Sequence, residues 1–280
     1  MRALPWLGLV LVVGSGCFEE RNKSIALMNA GVEATRQKLY DSAVRDLKQA
    51  VAVDPGNHLA WYNLGCTYEE QKKWPEASSA FNEAVKLEGG NAMYHYKLGN
   101  AYQEDGKTDL AKSEYEACIR LDGRHYKAHY RLGTVLLKQD KPREADVELR
   151  KAIELNPRFA NSFVALGNLY LDHDYDKEAV QVFQNAVLAN ESDGDSHYGL
   201  GLSLQRTKQY EEAVKEFKKA LEIRPELFRA VYNVGITYKA MDDKKNAREW
   251  LQRFITNAGS KGDADLLKAA SDAMYQLDAP

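Results

Sequence analysis

Residues His58 to Asn91 read HLAWYNLGCTYEEQKKWPEASSAFNEAVKLEGGN. Trp61, Leu64, Gly65 and Tyr68 follow one another at spacings of three, one and three. That spacing puts them on one face of a helix. After Trp74 and Pro75 the helical spacing returns in Ala77, Phe81 and Ala84. The stretch is therefore two amphipathic helices joined by a short polar turn. It recurs along the chain. Gly31, Gly65, Gly99, Gly133, Gly167, Gly201 and Gly235 stand 34 residues apart. Ala43, Ala77, Ala111, Ala145, Ala179, Ala213 and Ala247 follow them at a constant offset of twelve.

The apolar residues keep this register. Before each glycine stand Ala30, Leu64, Leu98, Leu132, Leu166, Leu200 and Val234. Four after each alanine stand Leu47, Phe81, Tyr115, Leu149, Phe183, Phe217 and Leu251. Glycine and alanine remove bulk where the two helices cross, and the large residues fill the space beside the crossing. One such hairpin cannot bury its apolar face alone, whereas stacked neighbours can.

The pattern resembles the tetratricopeptide repeat, W-x2-L-G-x2-Y followed by A, F and A. The resemblance covers residues 24–261 without a gap and implies an all-α, right-handed superhelical solenoid of seven helix-turn-helix repeats. The repeats run 24–57, 58–91, 92–125, 126–159, 160–193, 194–227 and 228–261. In each, the first helix is called A and the second B. Pro55, Pro157 and Pro225 end B helices, because proline disfavours helix in the residue before it. Gly89 and Gly123 serve the same end elsewhere. The junction Ala189 to Gly194 is polar and lacks the proline, so the boundary between repeats five and six is expected to be the softest. Tyr175, the turn aromatic of repeat five, stands one place early. Repeat arrays need polar ends. Residues 262–280 supply one as a capping helix, with Leu266, Leu267, Ala270, Ala273, Met274 and Leu277 on one face and Gly259 and Gly262 loosening the link before it.

The N-terminus differs from the rest. Met1 and Arg2 precede an apolar run from Ala3 to Val13, then Gly14, Ser15, Gly16 and Cys17. This is the order of a secretory signal peptide over residues 1–16. The run of 11 residues is short of the roughly 20 that a membrane-spanning helix needs. Ser15, Gly16 and Cys17 resemble a bacterial lipoprotein signal, although the aliphatic residue, Val13, stands one place early. The resemblance implies a lipid anchor on Cys17 and a lipidated tether at 17–23 that reaches about 20 Å when extended. Phe18 stands where aspartate would favour the inner membrane, which points to the outer membrane, facing the periplasm. Simple cleavage after Gly16, giving a soluble periplasmic protein, is the alternative.

In the tetratricopeptide family the A helices line a concave groove that takes a peptide or a partner's helix. Carried over by position, that groove contains Met28, Tyr62, Tyr96, Tyr130, Val164, Tyr198 and Tyr232, with Asn100 and Asn168. Tyrosines offer flat apolar faces and hydroxyls, which suit interfaces. Lys97, Lys127, Arg131 and Lys138 cluster in repeats three and four and suggest an acidic ligand. Tyr62 and Cys66 stand where the family's carboxylate-clamping members carry lysine and asparagine.

No motif points to catalysis, a cofactor or a metal. GxSxG, HExxH and GxxxxGK are missing, and Asp193-Gly194-Asp195 is short of a calcium loop. His95, His129 and His197 share the place of Trp61 and Phe163, a packing position. Cys118 replaces a small alanine, and a Cys66–Cys118 disulfide is not expected. The net charge of −3 over 280 residues gives no basic stripe for nucleic acid. The expected function is a non-enzymatic protein-binding scaffold of the cell envelope. Size, anchor and architecture resemble the tetratricopeptide lipoproteins that help assemble type IV pilus secretins, which typically have six repeats. A gliding-motility complex, or an adaptor for a peptidoglycan hydrolase or protease, are the other expectations.

Overall fold

Every sequence segment with a 3.6-residue apolar period is a helix in the computed structural model, which describes residues 7–258 and 264–278. Fifteen helices and no strand occur among them. The chain divides into two compact units, Met1–Val135 and Leu136–Pro280. The first holds α1 (Leu7–Arg36), α2 (Tyr40–Val53), α3 (His58–Glu70), α4 (Trp74–Leu87), α5 (Ala92–Glu104), α6 (Thr108–Leu121) and most of α7 (Tyr126–Lys138). The second holds α8 (Pro142–Leu155), α9 (Ala160–Asp172), α10 (Asp176–Ala189), α11 (Gly194–Arg206), α12 (Tyr210–Ile223), α13 (Phe228–Ala240), α14 (Lys244–Ala258) and α15 (Ala264–Asp278). In the first unit α1 packs on α2, α2 on α3, α3 on α4, α4 on α5 and α5 on α6; in the second α8 packs on α9, and each helix from α9 to α14 packs on the next.

The glycine column works by close approach. A Cβ placed on Gly65 would lie 2.6 Å from the ring of Phe81, so the ring rests on the backbone of α3. The large B-helix residues beneath the glycines are sealed: Leu47, Phe81 and Tyr115 in the first unit, Phe183, Phe217 and Leu251 in the second. At about 25 cal/mol per Å² of apolar area, this burial is the main stabilising term of each hairpin.

The A–B turns reveal a third 34-residue column. Lys38, Lys72, Gly106, Asp140, Asp174, Lys208 and Asp242 all have positive φ, between 56° and 76°. Each follows an A helix and reverses the chain. The next residue then bonds back across the turn, as Lys73 N–H does to the Tyr68 carbonyl at 2.9 Å and Gln209 N–H to the Leu204 carbonyl at 2.9 Å. This is the left-handed helix stop that glycine usually supplies. Here only one of the seven is glycine.

The B–A junctions are built on side chains as well as on proline. Asp54, Asp122, Asn156 and Asn190 each accept a bond from the backbone N–H two residues on, at 3.0–3.1 Å. Such turns fix the chain direction without proline. The junction of repeats five and six, expected to be soft, has this turn through Asn190. Asp193 then caps α11 by accepting from Ser196 N–H at 2.9 Å, and Arg224 ties the same helix start through Asp195.

At the N-terminus the extended tether is corrected. Residues 18–23 belong to α1, so they span about 9 Å at 1.5 Å per residue. Ser24 begins the packed part, buried and donating to the Ala50 carbonyl at 2.9 Å. Residues 1–6, the side chain of Cys17, and Gly259 and Gly262 lie outside the described residues. No described helix is long and apolar enough to cross a membrane. At the other end, Ala270, Ala273 and Leu277 of α15 are buried in one core with Leu251 and Phe254, and Leu266, Leu267 and Met274 pack at its margin.

Candidate partner-binding face

The tyrosines of the A helices are half-buried rather than free. Four of them lean on the B-helix core. Tyr62 lies 5.8 Å from Phe81, Tyr96 6.1 Å from Tyr115, Tyr198 5.8 Å from Phe217, and Tyr232 5.5 Å from Phe254, all tilted. Three of them also meet a residue further along the chain. Tyr62 stacks on Tyr94 of the next repeat at 4.9 Å, and Tyr96 meets His125 at 4.6 Å. The Tyr198 hydroxyl accepts from Asn233 Nδ2 at 3.2 Å. Burial pushes the hydroxyls of Tyr62 and Tyr198 above the usual phenol range. Part of each of these four rings is thus structural, and each stays partly accessible.

The polar candidates separate. Lys97 donates to Glu69 Oε2 at 2.8 Å, so its charge is already paired. Asn100 accepts from the Tyr115 hydroxyl at 2.8 Å and is turned inward. Lys127 is exposed, its ammonium 5.9 Å from the ring centre of Tyr126. Arg131 is half-buried over the ring of Tyr130 at 5.9 Å, with Tyr96 and Tyr115 close by. Among the described residues no carboxylate pairs with it. Lys138 and Asn168, both exposed, belong to the second unit. The structure therefore brings Tyr96, Tyr130 and Arg131 together and removes Lys97 and Asn100 from the free groups.

The first unit also carries an exposed apolar column. Ile25, Leu59 and Met93 are 39–46% exposed, each at the second place of its repeat and 34 residues apart. A cavity of about 500 Å³ opens beside the first two, lined also by Met28, Pro55 and His58. The sequence carries the signal: the same place holds Lys127, Asn161, Asp195 and Arg229 in the later repeats. Cys66 sits near this face with its thiol pushed up to about 11, by burial first. Cys66 and Cys118 are both free.

Family models described as tetratricopeptide repeat match residues 28–92 and 96–157, residues 194–227, and residues 228–260. The chain belongs to the tetratricopeptide-repeat family. Among solved structures, this tetratricopeptide protein is similar to the pilF protein of Pseudomonas aeruginosa, with 18% identity and a TM-score of 0.66, covering 77% of this chain and 97% of that one. It is similar to a tetratricopeptide protein from Parabacteroides merdae, with 16% identity and a TM-score of 0.65, over 92% of this chain and all of that one. A third likeness is YrrB, a tetratricopeptide protein with an unusual peptide-binding site, at 22% identity and a TM-score of 0.54, over 66% of this chain and 96% of that one. At these identities the likeness is one of fold. No curated protein matches the chain.

Proposed function

We propose that this tetratricopeptide array is a non-enzymatic scaffold that binds an extended or helical segment of a partner protein along its A-helix face. The supporting observations are the first unit's exposed column of Ile25, Leu59 and Met93 and, in the same unit, Arg131, a guanidinium without a carboxylate partner. A fitting segment has apolar side chains toward repeats one to three and an acidic group at Arg131. The order of residues 1–17 supports an outer-membrane lipoprotein facing the periplasm, held by lipid on Cys17 and helping to assemble an envelope-spanning machine. Pilus secretin assembly is the machine favoured by the resemblance of anchor and repeats.

Photo-crosslinking from positions 96 and 130 in cells, followed by identification of what is trapped, tests the scaffold. Tyr96→Ala with Tyr130→Ala is expected to weaken partner binding about tenfold or more, the loss of one or two interface anchors, with the helical circular-dichroism signal kept. Arg131→Met should weaken an acidic partner selectively and abolish the salt dependence of binding. Unchanged affinity in both variants removes this face. Incorporation of labelled lipid should stop in Cys17→Ser; lipid that persists rejects the anchor.

A further inference from the structure

Repeat five departs from the others at its A–B turn. Tyr175 stands where Lys73, Lys107, Lys141 and Gln209 stand, and Asp176 takes the next place, which holds Tyr40, Trp74 and Tyr210 elsewhere. Those three rings are half-buried, whereas Tyr175 is 56% exposed. Asp176 pairs with Arg206 at 3.1 Å, so its place carries an ion pair instead of a ring. Tyr175 meets Tyr170 edge-on, with centroids 6.1 Å apart and planes at 79°. The two rings, with Pro142 and Leu169, wall a cavity of about 490 Å³ at the start of α8 and the end of α9, wholly within the second unit. Val147, next to Asp146 of the rim, is a further departure: it is 62% exposed where Ser79, Ser113, Gln181 and Lys215 stand in other repeats.

The polar groups of the rim differ in what they have left to offer. Asp146 is satisfied: Oδ1 accepts from the Tyr170 hydroxyl at 2.7 Å and Oδ2 from Arg150 Nε at 2.9 Å, and Arg150 also donates to the Tyr170 hydroxyl. The His173 ring is held through Nδ1, which donates to the Leu169 carbonyl at 2.9 Å. Arg143 is exposed, and among the described residues no carboxylate pairs with it. The uncompensated charge lining the cavity is therefore a cation. The volume falls within the roughly 300–1,000 Å³ of ligand sites. A corner of two perpendicular rings lets a third ring lie with its face to one and its edge to the other, the arrangement that aromatic quadrupoles favour. A guanidinium at the mouth of such a corner is complementary to a negative charge carried beside that third ring.

The geometry points to this cavity as a second docking site, which takes the aromatic side chain of a partner segment that has an acidic residue next to it. The ring enters the Tyr170–Tyr175 corner and the carboxylate meets Arg143. Pro142 and Leu169 supply the apolar wall, and Val147 extends the contact beyond the cavity. The site lies at the turn edge of repeats four and five. It shares no residue with the A-helix face of Tyr96, Tyr130 and Arg131, so it stands or falls independently of that face.

The test titrates the full chain with the synthetic peptide acetyl-Ser-Gly-Trp-Glu-Gly-Ser-amide and follows backbone amides by NMR. Saturable shifts are expected at residues 142–147 and 169–176. Tyr175→Ala should raise Kd about 2–10-fold, the worth of an aromatic pair, and Arg143→Gln about 2–5-fold, the worth of an exposed ion pair. Both side chains are exposed, so the helical circular-dichroism signal should be unchanged. The protein with Tyr96→Ala and Tyr130→Ala should bind this peptide as the wild type does, which separates the cavity from the A-helix face. Peptides with lysine for the glutamate, or proline for the tryptophan, should bind more weakly. Shifts that avoid the cavity, wild-type affinity in either cavity variant, or equal or tighter binding of the lysine or proline peptide overturns the inference.

Discussion

The two cysteines show how burial sets side-chain chemistry. Burial pushes the Cys118 thiol up to about 12 and the Cys66 thiol to about 11, the latter despite the opposing pull of Lys97. Both stay protonated in the fold at neutral pH and are poor nucleophiles. A thiol reagent at about pH 8 should label them far more slowly in the folded chain than in denaturant, and equal rates would contradict their burial. Because the unfolded thiols ionise first, stability is present below their ordinary value and is lost as pH rises toward the folded value. Asp193 is a second single-residue test. Asp193→Ala should cost about 1 kcal/mol, read by denaturant titration, since it removes the cap of α11. At this scale the sequence reveals the least. The tyrosine column could be read from spacing, but the pairing of Lys97 with Glu69 and of Asn100 with Tyr115 depends on rotamers and on inter-helix distance. Neither leaves a periodic trace.

Helices and their packing faces were legible because each combines a 3.6-residue apolar period with a small residue at the crossing. The turns were legible only in part. Proline and glycine mark some ends of B helices, yet Asn190 makes the same turn as Asn156 with no proline after it. The left-handed stops were hidden because lysine and aspartate, not glycine, occupy most of them. A non-glycine residue there costs roughly 1 kcal/mol. Lys72→Gly and Lys208→Gly should therefore each raise stability by about 0.5–1 kcal/mol, whereas Gly106→Ala should lower it by a similar amount. Chemical denaturation of the three variants checks the sign directly. Opposite signs would mean that the lysine side chains supply stabilising contacts at these turns.

For the molecule as a whole, 34-residue periodicity makes the repeat architecture legible, while residues 18–23, exposed and polar apart from Phe18, show no apolar face that would mark the helix they belong to. The capping helix is the element on which the last repeat depends. A chain ending at residue 258 would expose Leu251 and Phe254, now 0% and 1% accessible. It should lose about 3 kcal/mol or more from the last hairpin and should self-associate, both measurable by calorimetry and light scattering. Full retention of stability and monomeric behaviour would show that α15 is dispensable.

Phe183 lies with its ring against the backbone of Gly167 in its own repeat and of Gly199 in the next, where an added Cβ would come within 2.0 Å. The equivalent place in repeat seven is Asn233. Excising repeat six and splicing five directly to seven would drive an asparagine side chain into that ring, even though the 34-residue rhythm survived. The units of this array share a blueprint without being interchangeable, and their order is written into the molecule by what each neighbour leaves out.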